Sequence, residues 1–524
     1  LTVTVEVPER YNASTLLDRN LERGLGEKVC LRWEDQELTY AQLYRQVCAF
    51  GRALRALGVR REERVLLVLD DSPAFPVAFL GAIRVGAVPI PTNPLLRADD
   101  YAYFLQDSCA RVVVTDLPLL PTVREAVATA PEPPPVVVSR GRAEGAWSLE
   151  ELVAAHEGEL SPADTHRDDM AFWLYSSGST GRPKGVVHLQ HDILYTCETY
   201  ARHVLRITQD DVTFSASKLF HAYGLGNNLS FPYWAGASTV LRSGRPTPEG
   251  VLETIQRYRP TLFFGVPTLY NAILNFPEAD RYDLSSVRLC VSAAEALPAE
   301  IFHRWKERFG LVILDGVGST EMLHIYCSNT PETLKPGSSG KPVPGYELKI
   351  LSPDTGQPVA PGEVGDLYVR GDSELALYWH QHEKTKRSLH GGWFYTGDRY
   401  RVDEDGFYWY EGRSDDMIKV GGLWVSPVEI ENTLIEHPAV QEAAVVGVPV
   451  EGLTRIRAYV VLKSGVSPSE ALSQELQEWC KQRLARYKYP HFVTFTSDLP
   501  KTVTGKIQRF KLREQETRAA VGGP

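Results

Sequence analysis

Short, wholly apolar runs separated by stretches of helical periodicity constrain this chain more than any other feature. Residues 64–70 (RVLLVLD), 111–116 (RVVVTD), 261–267 (TLFFGVP) and 287–293 (VRLCVSA) are β-branched and apolar almost throughout. A strand with one wet face alternates polar and apolar residues, whereas a continuous apolar run suits a strand covered on both faces. Helical spacing fills the gaps, as in residues 40–57 and 298–309. The alternation predicts an α/β fold with largely parallel sheets. The most apolar piece, residues 75–91 (FPVAFLGAIRVGAVPIP), is interrupted by Arg84 and prolines. It is expected to be a buried helix followed by a strand, because it is too broken to span a bilayer. The proline-rich residues 130–139 (APEPPPVVVS) are expected to form a loop.

At 524 residues the chain exceeds the size of one ordinary domain. Character changes near residue 410, where residues 401–434 become dense in charge and glycine. Beyond them come two short strand patterns and one amphipathic helix, with Leu472, Leu476, Trp479, Cys480 and Leu484 on one face. We therefore expect a large multi-subdomain N-terminal domain over 1–412 and a small α+β domain over 413–524. The net charge of −10 argues against a dominant nucleic-acid or anionic-membrane surface. No leader pattern is visible at residues 1–12 (LTVTVEVPERYN), and the seven cysteines form no CxxC pair. Scattered reduced thiols of this kind suggest a cytoplasmic protein.

Residues 174–190 read LYSSGSTGRPKGVVHLQ. A loop rich in Gly, Ser and Thr wraps a phosphate with backbone N–H groups and hydroxyls, and a nearby lysine adds a point charge. This loop is not a Walker A motif, because Lys184 follows Pro183 and leads into an apolar run rather than a helix. It is expected to join two strands.

The order of residues in YSSGSTGRPKG resembles the phosphate loop of the adenylate-forming enzymes, a superfamily that includes acyl-CoA synthetases, luciferases and peptide-synthetase adenylation domains. Further stretches resemble that superfamily in the same order: GVGSTEM (316–322), WFYTGD (393–398), YEGRSDDMIKVGG (410–422) and PKTVTGKIQR (500–509). The resemblance implies ATP, magnesium and coenzyme A as cofactors and co-substrates. It implies that Ser176, Ser177, Gly178, Ser179, Thr180 and Lys184 cradle phosphate. It also implies that Thr320 meets phosphate, that Glu321 holds magnesium, and that Asp398 takes the ribose; Arg413 could bind ribose or phosphate. Lys506 would bridge the acid and the α-phosphate, and Asp415 would be the hinge of a mobile lid. Each role is chemically reasonable. Two anions must be joined, so positive charge has to be placed between them, and magnesium accepts one carboxylate beside phosphate oxygens.

Residues 213–228 (TFSASKLFHAYGLGNN) lack the Asp that pairs with an α-amine in amino-acid adenylation domains, so an α-amino acid is disfavoured. KLFHAYGLGN, SAAEALP, LDGVGSTEMLHIYCSN and GKPVPGYELKI instead resemble the benzoate–CoA ligase group of aryl-CoA ligases. That likeness implies an aryl pocket built from His221, Ala222, Tyr223, Val317, Gly318, His324 and Ile325, with Lys419 reaching the substrate. Ala293, Ala294, Glu295, Asp315 and Gly316 would border the nucleotide, and His221 would also serve catalysis. His221 departs from the Phe of benzoate enzymes, and Ala294 departs from the Gly of SAGEALP. The polar His221 suggests a ring substituent, as in 2-aminobenzoate (anthranilate) or a hydroxybenzoate; benzoate and 2-aminobenzoate are the expected acids. The expected reaction forms an aryl-AMP and then an aryl-CoA thioester, releasing pyrophosphate and AMP. An acyl carrier protein is the alternative acceptor, and a homodimer is compatible with the resemblance. A catalytically silent nucleotide-binding relative is disfavoured by the intact Lys184, Thr320, Glu321, Asp398, Arg413 and Lys506.

Overall fold

The computed structural model describes residues 3–176, 182–420, 423–450, 453–485, 487–502 and 507–521. Among them, two sheets dominate the first two-thirds of the chain. The larger has nine strands. Its central strands, from Ile313–Gly318 through Leu289–Ser292, Leu262–Gly265, Val212–Ser215 and Ser238–Leu241 to Val29–Trp33, all run parallel. Antiparallel strands close both edges. The second sheet is five-stranded and parallel, with Arg64–Val68 and Val112–Asp116 near its centre. Among the strands read as apolar, Leu289–Ser292 and Leu262–Gly265 are buried along their whole length, and Arg64–Val68 at all but Arg64. Helices such as Ala74–Arg84 are buried at every residue, so they fill the space between layers.

Two expectations need correction. Residues 130–139 are not all loop: Val136–Ser139 is a buried strand of the parallel sheet, paired with Val112–Asp116 and Trp147–Ser148. The prolines end where the β-branched run VVVS begins, and burial against the sheet decides the outcome. The C-terminal portion also holds more structure than one helix and short strands. Val440–Val450 and Leu453–Leu462 form a hairpin of eleven and ten residues, joined in parallel by Phe492–Phe495. Three helices accompany it: Pro427–Ile435, Glu470–Arg483 and Arg509–Val521. The first opens on a Ser-Pro start, in which Ser426 accepts the Glu429 N–H. Leu476 and Cys480 point into the small core, as the periodicity predicted.

Between these parts lie a four-stranded antiparallel sheet, ending in Phe394–Val402 and Tyr408–Arg413, and a three-stranded one containing Met170–Ser176 and Lys184–Leu189. All seven cysteines are free thiols. Among the described residues no helix is long and apolar enough to cross a membrane.

Candidate functional site

The glycine-rich loop does join two strands. Met170–Ser176 and Lys184–Leu189 are antiparallel, and Ser176 sits directly across from Lys184. Ser177, Gly178, Ser179 and Thr180 lie outside the described residues, as does Lys506. The far end of the loop is tethered: the Tyr103 hydroxyl donates to the Pro183 carbonyl at 2.8 Å. Lys184 is partly buried beside Lys384, Glu321 and Arg413. Burial and then the Lys384 ammonium push its pKa down to about 8.

The turn that carries Thr320 and Glu321 is held from three directions. His188 Nε2 donates to the Thr320 carbonyl at 2.7 Å. The Leu375 N–H donates to the Glu321 carbonyl at 2.7 Å, and Ser373 Oγ donates to the Met322 carbonyl at 2.8 Å. The Glu321 carboxylate itself accepts the Tyr378 hydroxyl at 2.9 Å. His188 is in turn held at Nδ1 by Asp192, 2.7 Å away, with both side chains fully buried. Both ring nitrogens thus have an oxygen partner. His188, Asp192 and Tyr378 carried no motif signal, and only the folded chain brings them to the turn.

Asp398 and Arg413 are cross-strand partners, and Arg413 Nη1 lies 2.9 Å from Asp398 Oδ1. Asp398 raises the guanidinium pKa further, so the pair stays charged. Ala293, Ala294 and Glu295 follow the strand Leu289–Ser292, and Asp315 and Gly316 lie in its parallel neighbour. Ala294 has φ +78°, a left-handed conformation that explains why glycine suits this position. Asp315 is buried, and burial pushes its pKa well up. One of its oxygens accepts the Leu297 N–H at 3.2 Å, and the other has no hydrogen-bond partner among the described residues.

The aromatic cluster sits on a helix that begins at Ala222 and contains a π segment, Gly226–Ser230. Such segments mark functional sites in many helices. Here the segment brings Asn227 to His324, whose Nε2 donates to Asn227 Oδ1 at 3.1 Å. His324 is ringed by Tyr200, Tyr223 and Phe231 at centroid distances of 5.1, 5.6 and 4.6 Å. Burial pushes its pKa down to about 3, so it is neutral, and Nδ1 carries a lone pair with no partner among the described residues. A Cβ on Gly318 would lie 2.5 Å from the His324 carbonyl oxygen, so glycine is required there. Tyr223 hydrogen-bonds Val291 and Gly265 carbonyls through its hydroxyl. Ala222 and Ile325 are buried, and Val317 packs against the same core. His221 precedes this helix, its ring 4.3 Å from that of Phe220. Lys419, by contrast, is exposed on the hairpin Ile418–Val420/Leu423–Val425.

The C-terminal portion docks on this site. The Ile507 N–H, one residue after Lys506, donates to Glu295 at 3.0 Å. Side-chain partners change across residues 414–416. Ser414 is tied to Asp366 and to the Gly397 carbonyl, whereas Asp416 pairs with Arg513 and Arg509 of the last helix. Asp415, between them, is exposed.

The pattern of the AMP-binding enzyme family matches residues 17–379, and that of the AMP-binding enzyme C-terminal domain matches residues 429–506. The chain belongs to the AMP-binding enzyme family. Among its relatives in this family, the benzoate–CoA ligase of Thauera aromatica is 48% identical over 512 residues, 97% of each chain. Two solved members superpose closely. The anthranilate CoA ligase AuaEII, in complex with anthranoyl-AMP, matches with a TM-score of 0.95 and 44% identity, covering 98% of this chain and 99% of that one. A benzoate CoA ligase from Burkholderia xenovorans LB400 matches at 0.90 and 45% identity, over 96% and 100%.

Proposed function

We propose that this AMP-binding enzyme is an aryl acid–CoA ligase whose site lies between the Thr320–Glu321 turn and the helix beginning at Ala222. The observation that carries this reading is the convergence of a cation-lined cleft with a buried aromatic cluster. Lys184 and Arg413 surround Glu321 at one end, and His324 with its ring neighbours closes the other. Relatives named as benzoate and anthranilate ligases support the same conclusion.

ATP would lie with its phosphates against Ser176, Lys184 and Thr320, and with its ribose at Asp398. The unpartnered oxygen of Asp315 suits an amino donor on the base. Among the described residues no group of three or more His, Cys, Asp or Glu side chains forms a metal cage. A magnesium ion would therefore bind Glu321 together with phosphate oxygens, and would supply charge neutralisation there. In the first step a carboxylate oxygen of the acid bonds to the α-phosphorus and pyrophosphate leaves. In the second, the sulfur of a deprotonated CoA thiol bonds to the acyl carbon and AMP leaves. Lys506 supplies positive charge in the first step, and the hinge at Asp415 turns the lid for the second. Docking of Ile507 on Glu295 supports that assignment, because it brings the lysine segment to the nucleotide motif.

The acid is a small benzoate. His324 Nδ1 is a buried acceptor in want of a donor, which favours a ring amino or hydroxyl group and hence 2-aminobenzoate over benzoate. The test is CoA-dependent AMP formation with benzoate, 2-aminobenzoate, the hydroxybenzoates, cinnamate, a short fatty acid and an α-amino acid. A small aryl acid should win, with 2-aminobenzoate ahead of benzoate. A preference for benzoate of about tenfold, about 1.4 kcal/mol, would overturn the substituent assignment. Pyrophosphate exchange without CoA turnover would move the acceptor to a carrier protein.

A further inference from the structure

The phosphate end of the cleft holds one cation more than the sequence motifs account for. Lys384 lies in the helix His382–Ser388. Backbone pairing fixes its position. The strand Leu377–Tyr378 runs antiparallel to Lys184–Leu189, with Tyr378 opposite Val186. The Trp379 N–H then donates to the Gly185 carbonyl at 2.8 Å, and the Tyr378 N–H donates to Thr385 Oγ1 at 3.0 Å. These bonds lay the helix beside the start of the strand that carries Lys184.

Lys384 Nζ sits 5.2 Å from the centroid of the Tyr378 ring, whose hydroxyl donates to Glu321. It is near enough to Lys184 to act on that ammonium's charge. Two like charges at close range repel, and the repulsion adds to burial in lowering the Lys184 pKa. Of the nearby carboxylates, Glu321 acts on Lys184 and also accepts the Tyr378 hydroxyl, and Asp398 pairs with Arg413. A paired set of ammoniums is suited to a polyanion that carries more than one charge across a few ångströms.

We propose that Lys384 is a second phosphate-binding cation that, with Lys184, holds the β- and γ-phosphates of ATP and the departing pyrophosphate. This rests on the reading of the cleft as the ATP site. As the bond from the α-phosphorus to the bridging oxygen breaks, its electron pair leaves on pyrophosphate. The new phosphorus–oxygen bond forms to the aryl carboxylate. No proton is transferred, and the two ammoniums stabilise the charge that grows on the leaving group. Lys384 is supplied by the large portion of the chain and not by the lid, so its contribution does not depend on the position of Lys506.

The test uses Lys384→Met, Lys384→Arg and Lys184→Met in the full chain, with 2-aminobenzoate or the best acid found above. Three readouts are needed: acid-dependent ATP–pyrophosphate exchange, thioester formation from supplied aryl-AMP and CoA, and thermal melting. Lys384→Met should lower exchange kcat/KM for pyrophosphate about 30-fold or more, in the range of lost transition-state donors. Its thioester step from supplied aryl-AMP should stay within about twofold of the parent, and arginine should restore most of the exchange. Normal exchange in Lys384→Met beside a large loss in Lys184→Met would overturn the role of Lys384 and leave the site intact. Normal exchange in both variants would overturn the reading of the cleft itself. Equal loss of both half-reactions, with a lowered melting point and no rescue by arginine, would make Lys384 structural and also overturn the proposal.

Discussion

The imidazole of His188 lies 2.7 Å from the Thr320 carbonyl oxygen on one side and 2.7 Å from Asp192 on the other. A fully buried His–Asp hydrogen bond therefore stands behind the turn that presents Thr320 and Glu321. Removing one member leaves a buried polar group short of a partner. His188→Ala should cost about 1–3 kcal/mol of stability, measured by chemical denaturation. The double variant His188→Ala/Asp192→Ala should lose less than the sum of the singles, because no orphaned partner remains buried.

Lys184 sets a pH dependence of ATP binding. Its pKa is lowered to about 8 by burial and by the neighbouring Lys384, while Arg413 adds to the lowering and Glu321 opposes it. The ammonium is the form that attracts phosphate, so charge is lost as pH rises through about 8. KM for ATP should climb between about pH 7 and pH 9. Lys184→Arg, which keeps its charge over that range, should flatten the climb. A steady-state pH series with the two proteins checks this.

The left-handed Ala294 is strained. An L-residue with a Cβ pays about 1–2 kcal/mol at φ +78°, whereas glycine pays back part of that in unfolded-state freedom. Ala294→Gly should stabilise the chain by about 0.5–1 kcal/mol, read from the denaturation midpoint.

Gly226 approaches His324 closely. An added Cβ would lie 2.4 Å from His324 Cδ2 and 2.8 Å from Nε2, so Gly226→Ala must displace the ring. KM for the aryl acid should rise by about tenfold or more while KM for ATP holds, because the disturbance falls on the aromatic end of the cleft. Initial-rate kinetics with each substrate varied in turn separate the two.

Glu295 accepts the Ile507 N–H and so ties the C-terminal portion to the loop after Leu289–Ser292. Glu295→Ala should slow pyrophosphate exchange by about tenfold, the worth of one hydrogen bond to a charged group. Glu295→Gln keeps an acceptor and should retain most of the rate. Thioester formation from supplied aryl-AMP should change little in either.

Much of this was legible from residue order. Wholly apolar runs mark buried parallel strands because no polar face exists to be satisfied elsewhere, and residues 261–267 and 287–293 folded as expected for that reason. The strand Val136–Ser139 was hidden by the prolines before it, whose local signal masks a pairing made with distant residues. The phosphate turn was legible as a motif, yet its supports were not. His188 is 132 positions from Thr320 and Tyr378 is 57 from Glu321, so no local spacing records either contact. Lys384 sits in a charged helical stretch of ordinary composition, and only the pairing of Leu377–Tyr378 with Lys184–Leu189 gives it meaning.

The anchoring of Asp416 to Arg509 and Arg513 has a mechanical consequence. Asp416 and the segment that begins at Ile507 belong to one body, because Arg509 also grips Glu431 within it. On the proposed hinge, a turn at Asp415 would carry both together, as the two ends of a crank.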